Sequence, residues 1–134
     1  MSEYIHKVVV KKSTISGAGK GVFMTQDISK GDIIEICETM IFDPKEADVL
    51  LQQTRLINYL FAHEDGKRVI LALGNGSLYN HKSPSNAVYE FWPRTKQMVM
   101  VAAENIPAGA EVFINYGGTQ QAKYEWEFKG SNIA

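Results

Sequence analysis

Hydrophobic and polar positions along this chain alternate over short stretches separated by turn residues, the pattern of many short strands. Residues 6–12, with Val8-Val9-Val10 between lysines, read as a strand. Residues 13–20 are small and Gly-rich and read as a loop, and residues 21–25 as a short strand. Ser29-Lys30-Gly31-Asp32 is a turn, after which residues 32–40 are extended again. Asp43-Pro44 predicts a helix start, with Asp43 as N-cap, Pro44 at the first helical position and Glu46 at the third. Ala47, Leu50, Leu51 and Thr54 form its inward stripe, while residues 56–62 fit either more helix or a strand. Asp65-Gly66 marks a tight turn and residues 67–73 a strand. Residues 74–86 read as one long polar loop rich in Gly, Asn and Ser. Residues 87–92 and 97–103 flank Pro93-Arg94-Thr95-Lys96 as a hairpin. After the turn Pro107-Ala108-Gly109, residues 111–116 form the last strand, and the chain from Gly117 onward is polar with spaced aromatics. There is no internal repeat, heptad or low-complexity segment. This element order predicts a compact, mainly β domain and not a βαβ fold.

Composition narrows the class. The 134 residues fit one domain, 1–134, that can bury its own core. A formal net charge of −1 removes any bulk basic field, so direct nucleic-acid binding is not expected. The first apolar run is too short for a signal peptide or membrane span, so no membrane association is expected and a cytoplasmic or nuclear-type setting is the default. Cys37 is the single cysteine, which excludes an internal disulfide; with three scattered histidines it offers no zinc quartet, and no metal is expected. Cys37 lies in Ile33-Ile34-Glu35-Ile36-Cys37 and reads as a buried strand thiol.

Three stretches carry candidate chemistry. Ser16-Gly17-Ala18-Gly19-Lys20-Gly21 fails as a P-loop, because Thr14 stands where the early Gly belongs and Gly21 where Ser or Thr belongs. It fails as a dinucleotide fingerprint too, because a strand-like Gly21-Val22-Phe23-Met24 follows where a helix must open. A surface turn and a backbone cradle for a ligand carboxylate remain. The loop Gly76-Ser77-Leu78-Tyr79-Asn80-His81 is dense in hydrogen-bonding groups; Asn80 reads as a turn residue or a ligand contact, His81 as structural or catalytic. Glu111-Val112-Phe113-Ile114-Asn115-Tyr116-Gly117 ends a strand on a phenol, either packed in the core or standing at a rim. Glu90, Glu104, Glu111, Glu125 and Glu127 read as parts of a solvated face.

Taken in order, these stretches resemble the SET domain, with its Gly-x-Gly, Asn-His-Ser-x-x-Pro-Asn and Glu-Leu-x-x-x-Tyr-Gly motifs. Asp27-Ile28-Ser29-Lys30-Gly31-Asp32 and Asn105-Ile106-Pro107-Ala108-Gly109-Ala110-Glu111 resemble the family's Ile-x-x-Gly-acid turns. The likeness runs over about residues 8–117, leaving 118–134 as a tail, and the size resembles short viral and bacterial members without zinc-binding flanks. Two departures stand out: Lys82 replaces the serine after Asn-His, and Pro84-Ser85-Asn86 replaces Pro-Asn.

The resemblance implies a β-clip-type fold of several small sheets with one short helix and a pseudoknot-like threading of the last motif past the Asn80 loop. It implies an S-adenosylmethionine (SAM)-dependent protein-lysine methyltransferase. In that reading Gly19, Lys20 and Gly21 meet the methionine end of SAM with Asn80, and His81 meets the adenine. Tyr116 stands beside the transferring methyl and, with Tyr59, is the catalytic pair. Tyr59, Phe61, Ile114 and Tyr124 line the lysine channel; Tyr124, Trp126 and Phe128, which alternate with charged residues, either form a C-terminal strand packed on the core or close the tail over the adenine and the channel. The partner is a protein presenting a lysine, a histone tail being one candidate. A homodimer and a bacterial or viral enzyme acting in a host nucleus are left open. Two rival readings are a catalytically silent SET-like module that binds peptide or SAM, and a small β domain that binds peptides at its edge strands.

Overall fold

The computed structural model describes residues 7–115. Among them the chain forms two sheets and one α-helix. The small sheet has the order β1-β2-β9-β6, with β1 Val8–Lys12, β2 Lys20–Met24, β9 Glu111–Ile114 and β6 Asn80–His81. The first two pair antiparallel from Val8↔Met24 to Lys12↔Lys20, and β9 joins β2 through Val22↔Val112 and Phe23↔Glu111. The last pair, β6 with β9, is parallel, Asn80 against Phe113 and His81 against Ile114. It brings together the two stretches whose threading the resemblance implied; the path beyond Asn115 lies outside the described residues.

The large sheet has the order β4-β5-β3-β8-β7, with β3 Ile33–Phe42 in the middle, β4 Leu60–Ala62 and β5 Val69–Ala72 on one side, and β8 Gln97–Ala102 and β7 Ala87–Trp92 on the other. The predicted hairpin is the β7–β8 pair, Trp92 opposite Gln97. Between the sheets lies the main core, with Val22, Met24, Ile70, Met98, Met100 and Ile114 all nearly free of solvent. Each such side chain contributes roughly 1.5–3 kcal/mol by leaving water.

Helix α1, Pro44–Gln53, begins where its local signals placed it. The Glu46 amide donates to Asp43 Oδ1 at 2.9 Å and the Asp43 amide to Glu46 Oε1 at 3.0 Å, a reciprocal capping box. Of the predicted stripe only Ala47 is buried; Leu50 and Leu51 pack partly against Leu60 and Val69. Thr54 is not packed as a stripe residue but used for its hydroxyl, which donates to Leu50 O at 2.8 Å and accepts from the Leu56 amide at 3.1 Å. That starts a 3₁₀ turn, Arg55–Tyr59, so the ambiguous stretch is first helical and then strand β4.

Two other expectations need correcting. The strand read at 67–73 is shorter, because Asp65 Oδ1 accepts from the Lys67 and Arg68 amides and holds those residues in the turn. The stretch 74–86 is not one loop: it contains a 3₁₀ turn, Gly76–Leu78, and strand β6. The two Ile-x-x-Gly turns prove to be partners. Ile28 and Ile106 exchange amide-to-carbonyl bonds of 2.9 Å each, Asn105 Oδ1 accepts from the Lys30 amide, and Asp27 Oδ1 accepts from the Ala108 amide. Each turn thus caps the other, which fixes where β3 and β9 begin. No helix among the described residues is long and apolar enough to cross a membrane.

Candidate functional site

The small sheet brings the glycine loop, the Asn80 loop and the start of the last motif to one place. Its two motif glycines serve different needs. Gly19 has φ +76°, left-handed backbone, in a loop closed by the Ser13 amide donating to Gly19 O at 2.8 Å; a Cβ there would meet nothing within 4 Å. Gly21 is needed for space: a Cβ would run into the Glu111 carboxylate and come within 2.9 Å of Asn80 Nδ2.

Glu111 sits at the centre and corrects the reading of it as part of a solvated face: it is 4% exposed. Its Oε1 accepts from the Thr14 amide at 2.8 Å and the Thr14 hydroxyl at 2.6 Å. Its Oε2 accepts from the Ser13 hydroxyl at 2.8 Å and from Asn80 Nδ2 at 3.0 Å. Burial alone pushes its carboxyl pKa up, but the bonds from Thr14, Asn80 and Ser13 together hold it below the ordinary carboxylate value. The group is therefore an anion satisfied by donors, with no cation among the described residues paired to it by a salt bridge.

Asn80 spends both amide hydrogens inward, on Glu111 and on Lys20 O at 3.0 Å. Its Oδ1 accepts from no described residue. Asn86 serves the main chain of β9: its Nδ2 donates to Glu111 O at 2.9 Å and its Oδ1 accepts from the Phe113 amide at 2.7 Å. One side-chain amide so replaces a missing strand partner for β9. The altered 82–86 stretch still delivers this asparagine, with Ser83–Pro84 in the cis form and Lys82 Nζ 5.0 Å from the Phe113 ring centroid. Burial lowers the pKa of His81, favouring the neutral imidazole.

Glu35, another buried carboxylate that the sequence did not single out, holds the preceding residue. It accepts from the Tyr79 hydroxyl at 2.6 Å and from the Asn75 amide at 3.1 Å. Cys37 is buried beside it, as expected; burial first, then the charge of and hydrogen bond to Glu35, push its thiol up to about 12. Gly76 lets this corner close, since a Cβ there would lie 2.9 Å from Cys37 Sγ.

The expected channel residues are spread over both sheets. Tyr59 ends the 3₁₀ turn with its side chain exposed, and its carbonyl accepts from the Ser77 hydroxyl at 2.9 Å. Phe61 is buried, its ring 4.8 Å from that of Tyr89, an aromatic the sequence reading passed over. Ile114 is fully buried beside His81 in register. Tyr116, Tyr124, Trp126 and Phe128 lie outside the described residues. Among the described residues no group of three or more His, Cys, Asp or Glu is placed to hold a metal ion.

Comparison with known proteins agrees with the architecture. The SET-domain family model matches residues 19–117. A curated relative from Schizosaccharomyces pombe, named histone-lysine N-methyltransferase, H3 lysine-37 specific, is 31% identical over 99 residues, 74% of this chain and 67% of its own. A Plasmodium falciparum crystal structure described as a candidate histone methyltransferase superposes with TM-score 0.68 at 33% identity, covering 85% of this chain and 96% of the other. The ctPRC2 complex bound to S-adenosylmethionine superposes with TM-score 0.72 at 20% identity, over 94% of this chain and 17% of that one, a likeness of fold.

Proposed function

The chain belongs to the SET-domain family, and we propose that it is a SAM-dependent protein-lysine methyltransferase whose cofactor lies against Gly19, Lys20, Asn80 and His81. The observation that carries this reading is the convergence of the Gly19 loop, Asn80 and Glu111 on one sheet edge, with Asn80 Oδ1 left available.

The residues present fit the amino-acid end of SAM. Left-handed Gly17 and Gly19 leave their backbone open to a ligand, because no Cβ crowds it. Asn80 offers an acceptor, which suits an ammonium. A neutral His81 avoids adding a second positive charge beside a sulfonium. When bound, SAM supplies an electrophilic methyl group on sulfur.

In the proposed reaction the lysine amine attacks the methyl carbon as the carbon–sulfur bond breaks. Sulfur keeps the electron pair, leaving S-adenosylhomocysteine, and the amine gains a carbon–nitrogen bond. The chain's task is positioning. The free amine has a pKa of about 10.4, so it must shed a proton before it attacks. A channel with aromatic walls disfavours the ammonium by desolvation. Tyr59 and Phe61, with Tyr116 and Tyr124, are assigned to those walls, and Tyr116 also to orienting the amine. Trp126 is assigned to closing the site.

A lysine-bearing protein is the proposed substrate, with a histone tail the first candidate on the names of the two relatives. Calorimetry with SAM, followed by mass spectrometry of methyl-lysine in mixed histones and other basic proteins, tests the proposal. SAM affinity without methyl transfer would favour a silent SET-like module instead.

A further inference from the structure

Resting on the assignment of Asn80 to the cofactor's amino-acid end, we infer that Glu111 is a positioning residue that sets which end of the Asn80 amide faces the cofactor. The two ends of a side-chain amide are nearly equal in size and opposite in polarity. Their orientation is decided by their partners.

Both groups facing Nδ2 are pure acceptors, Lys20 O and Glu111 Oε2, each at 3.0 Å. Turned over, Oδ1 would face two oxygens, one of them charged. Nδ2 is thus locked inward and Oδ1 outward. An outward oxygen attracts an ammonium and repels a carboxylate, so the lock selects the α-amino group of the ligand at this point. Glu111 is itself immobilised. Thr14 holds Oε1 through its amide and hydroxyl, Ser13 holds Oε2, and Gly21 packs against the carboxylate with no room for a Cβ. The lock therefore joins the Ser13–Thr14 turn, β2, β6 and β9 in one unit.

Glu111→Gln keeps the volume and removes the lock. The Thr14 amide retains the oxygen of the new side chain at the Oε1 position, so its NH₂ faces Asn80 Nδ2, donor against donor. Turning the Asn80 amide relieves that clash but sets Oδ1 against Lys20 O, so neither orientation is satisfied on both sides and the preference for Nδ2 inward is lost. In the turned form a ligand ammonium meets an N–H.

The test compares S-adenosylhomocysteine with its analogue lacking the α-amino group, by calorimetry on the full chain. Wild type should prefer the amino-bearing ligand by roughly ten- to a hundredfold, the range for a hydrogen bond to a charged group. Glu111→Gln should lose most of that preference while binding the deaminated analogue about as well as wild type does. Retained preference, or an equal loss for both ligands, would overturn the inference. A second reading needs neither ligand nor variant: in ¹⁵N spectra of the ligand-free wild-type protein, both Asn80 side-chain protons should exchange slowly with solvent. Rapid exchange of either sinks the lock. A wild-type protein that binds neither ligand but shows slow exchange would remove the proposed cofactor assignment and leave the amide lock standing.

Discussion

Glu111 in the small sheet and Glu35 in the large sheet are both buried carboxylates, and they grip neighbouring residues of one segment from opposite sides. Glu35 takes the Tyr79 hydroxyl, and Glu111 takes the Asn80 amide. Successive side chains in extended backbone point to opposite faces, so two adjacent residues can be anchored in two sheets. The difference lies in what each anchor leaves over. Tyr79 is used up inside the core, 1% exposed, while Asn80 is fixed and still presents an oxygen. A polar stretch between the sheets is thereby anchored on both sides and presents an oxygen on one of them.

The largest expected effect comes from removing either anchor. Glu111→Ala strands the donors of Ser13, Thr14 and Asn80, and should cost about 3–5 kcal/mol in denaturant unfolding. Glu35→Ala strands fewer strong donors, the Tyr79 hydroxyl and the Asn75 amide with the weakly donating Cys37 thiol, and should cost about 2 kcal/mol. Equal losses would erase the distinction between the two regions.

Next in size are the residues they hold. Asn80→Ala should weaken SAM binding roughly ten- to a hundredfold. Tyr79→Phe should lower stability by about 1.5 kcal/mol, the low end for a hydrogen bond to a charged group, with SAM affinity almost unchanged. A Tyr79→Phe protein whose SAM affinity falls as far as that of Asn80→Ala would show that the two sides of the segment are not separable.

The glycines sharpen the contrast further. Gly19→Ala should cost about 1–2 kcal/mol through left-handed backbone alone. Gly21→Ala should cost more stability and also loosen SAM, since its Cβ displaces Glu111 and Asn80. Melting curves beside SAM titrations for the two variants rank them.

The smallest effects are in pH. The folded pKa of His81 lies below its ordinary 6.5, so the unfolded chain binds the proton more readily and stability should decline as pH falls through about 6.5. The folded pKa of Glu111 lies below its ordinary 4.5, so its contribution is complete above that value and is lost as pH falls through the lower folded one. His81→Gln should flatten the first decline and Glu111→Gln the second. A pH–stability curve unaltered by either variant would contradict these assignments.

Legibility in the sequence follows the range of each interaction. Helix α1 was readable because Asp43, Pro44 and Glu46 act over one turn, and the β7–β8 hairpin because its strands are neighbours in the chain. Strand β6 was not, because two residues carry no alternation and its partner β9 lies far along the chain. Glu111 looked solvated because its donors Ser13, Thr14 and Asn80 come from elsewhere in the sequence. Gly19, Gly21 and Asn80 were assigned to a site through the motifs that resemble the SET family, and they meet at the small sheet; that Gly21 is there for space and Asn80 is held by Glu111 needed three dimensions. The roles given to Tyr116, Tyr124 and Trp126 concern residues beyond those described.

The most direct test of the central claim follows the methyl group itself. The full chain is incubated with histones and SAM bearing a trideuterated methyl group, and lysine-containing peptides are read by mass spectrometry. The account predicts trideuteromethyl on a lysine side-chain nitrogen, strongly reduced in the Asn80→Ala protein at limiting SAM. Label on another residue type, or equal labelling by wild type and Asn80→Ala at limiting SAM, would contradict it.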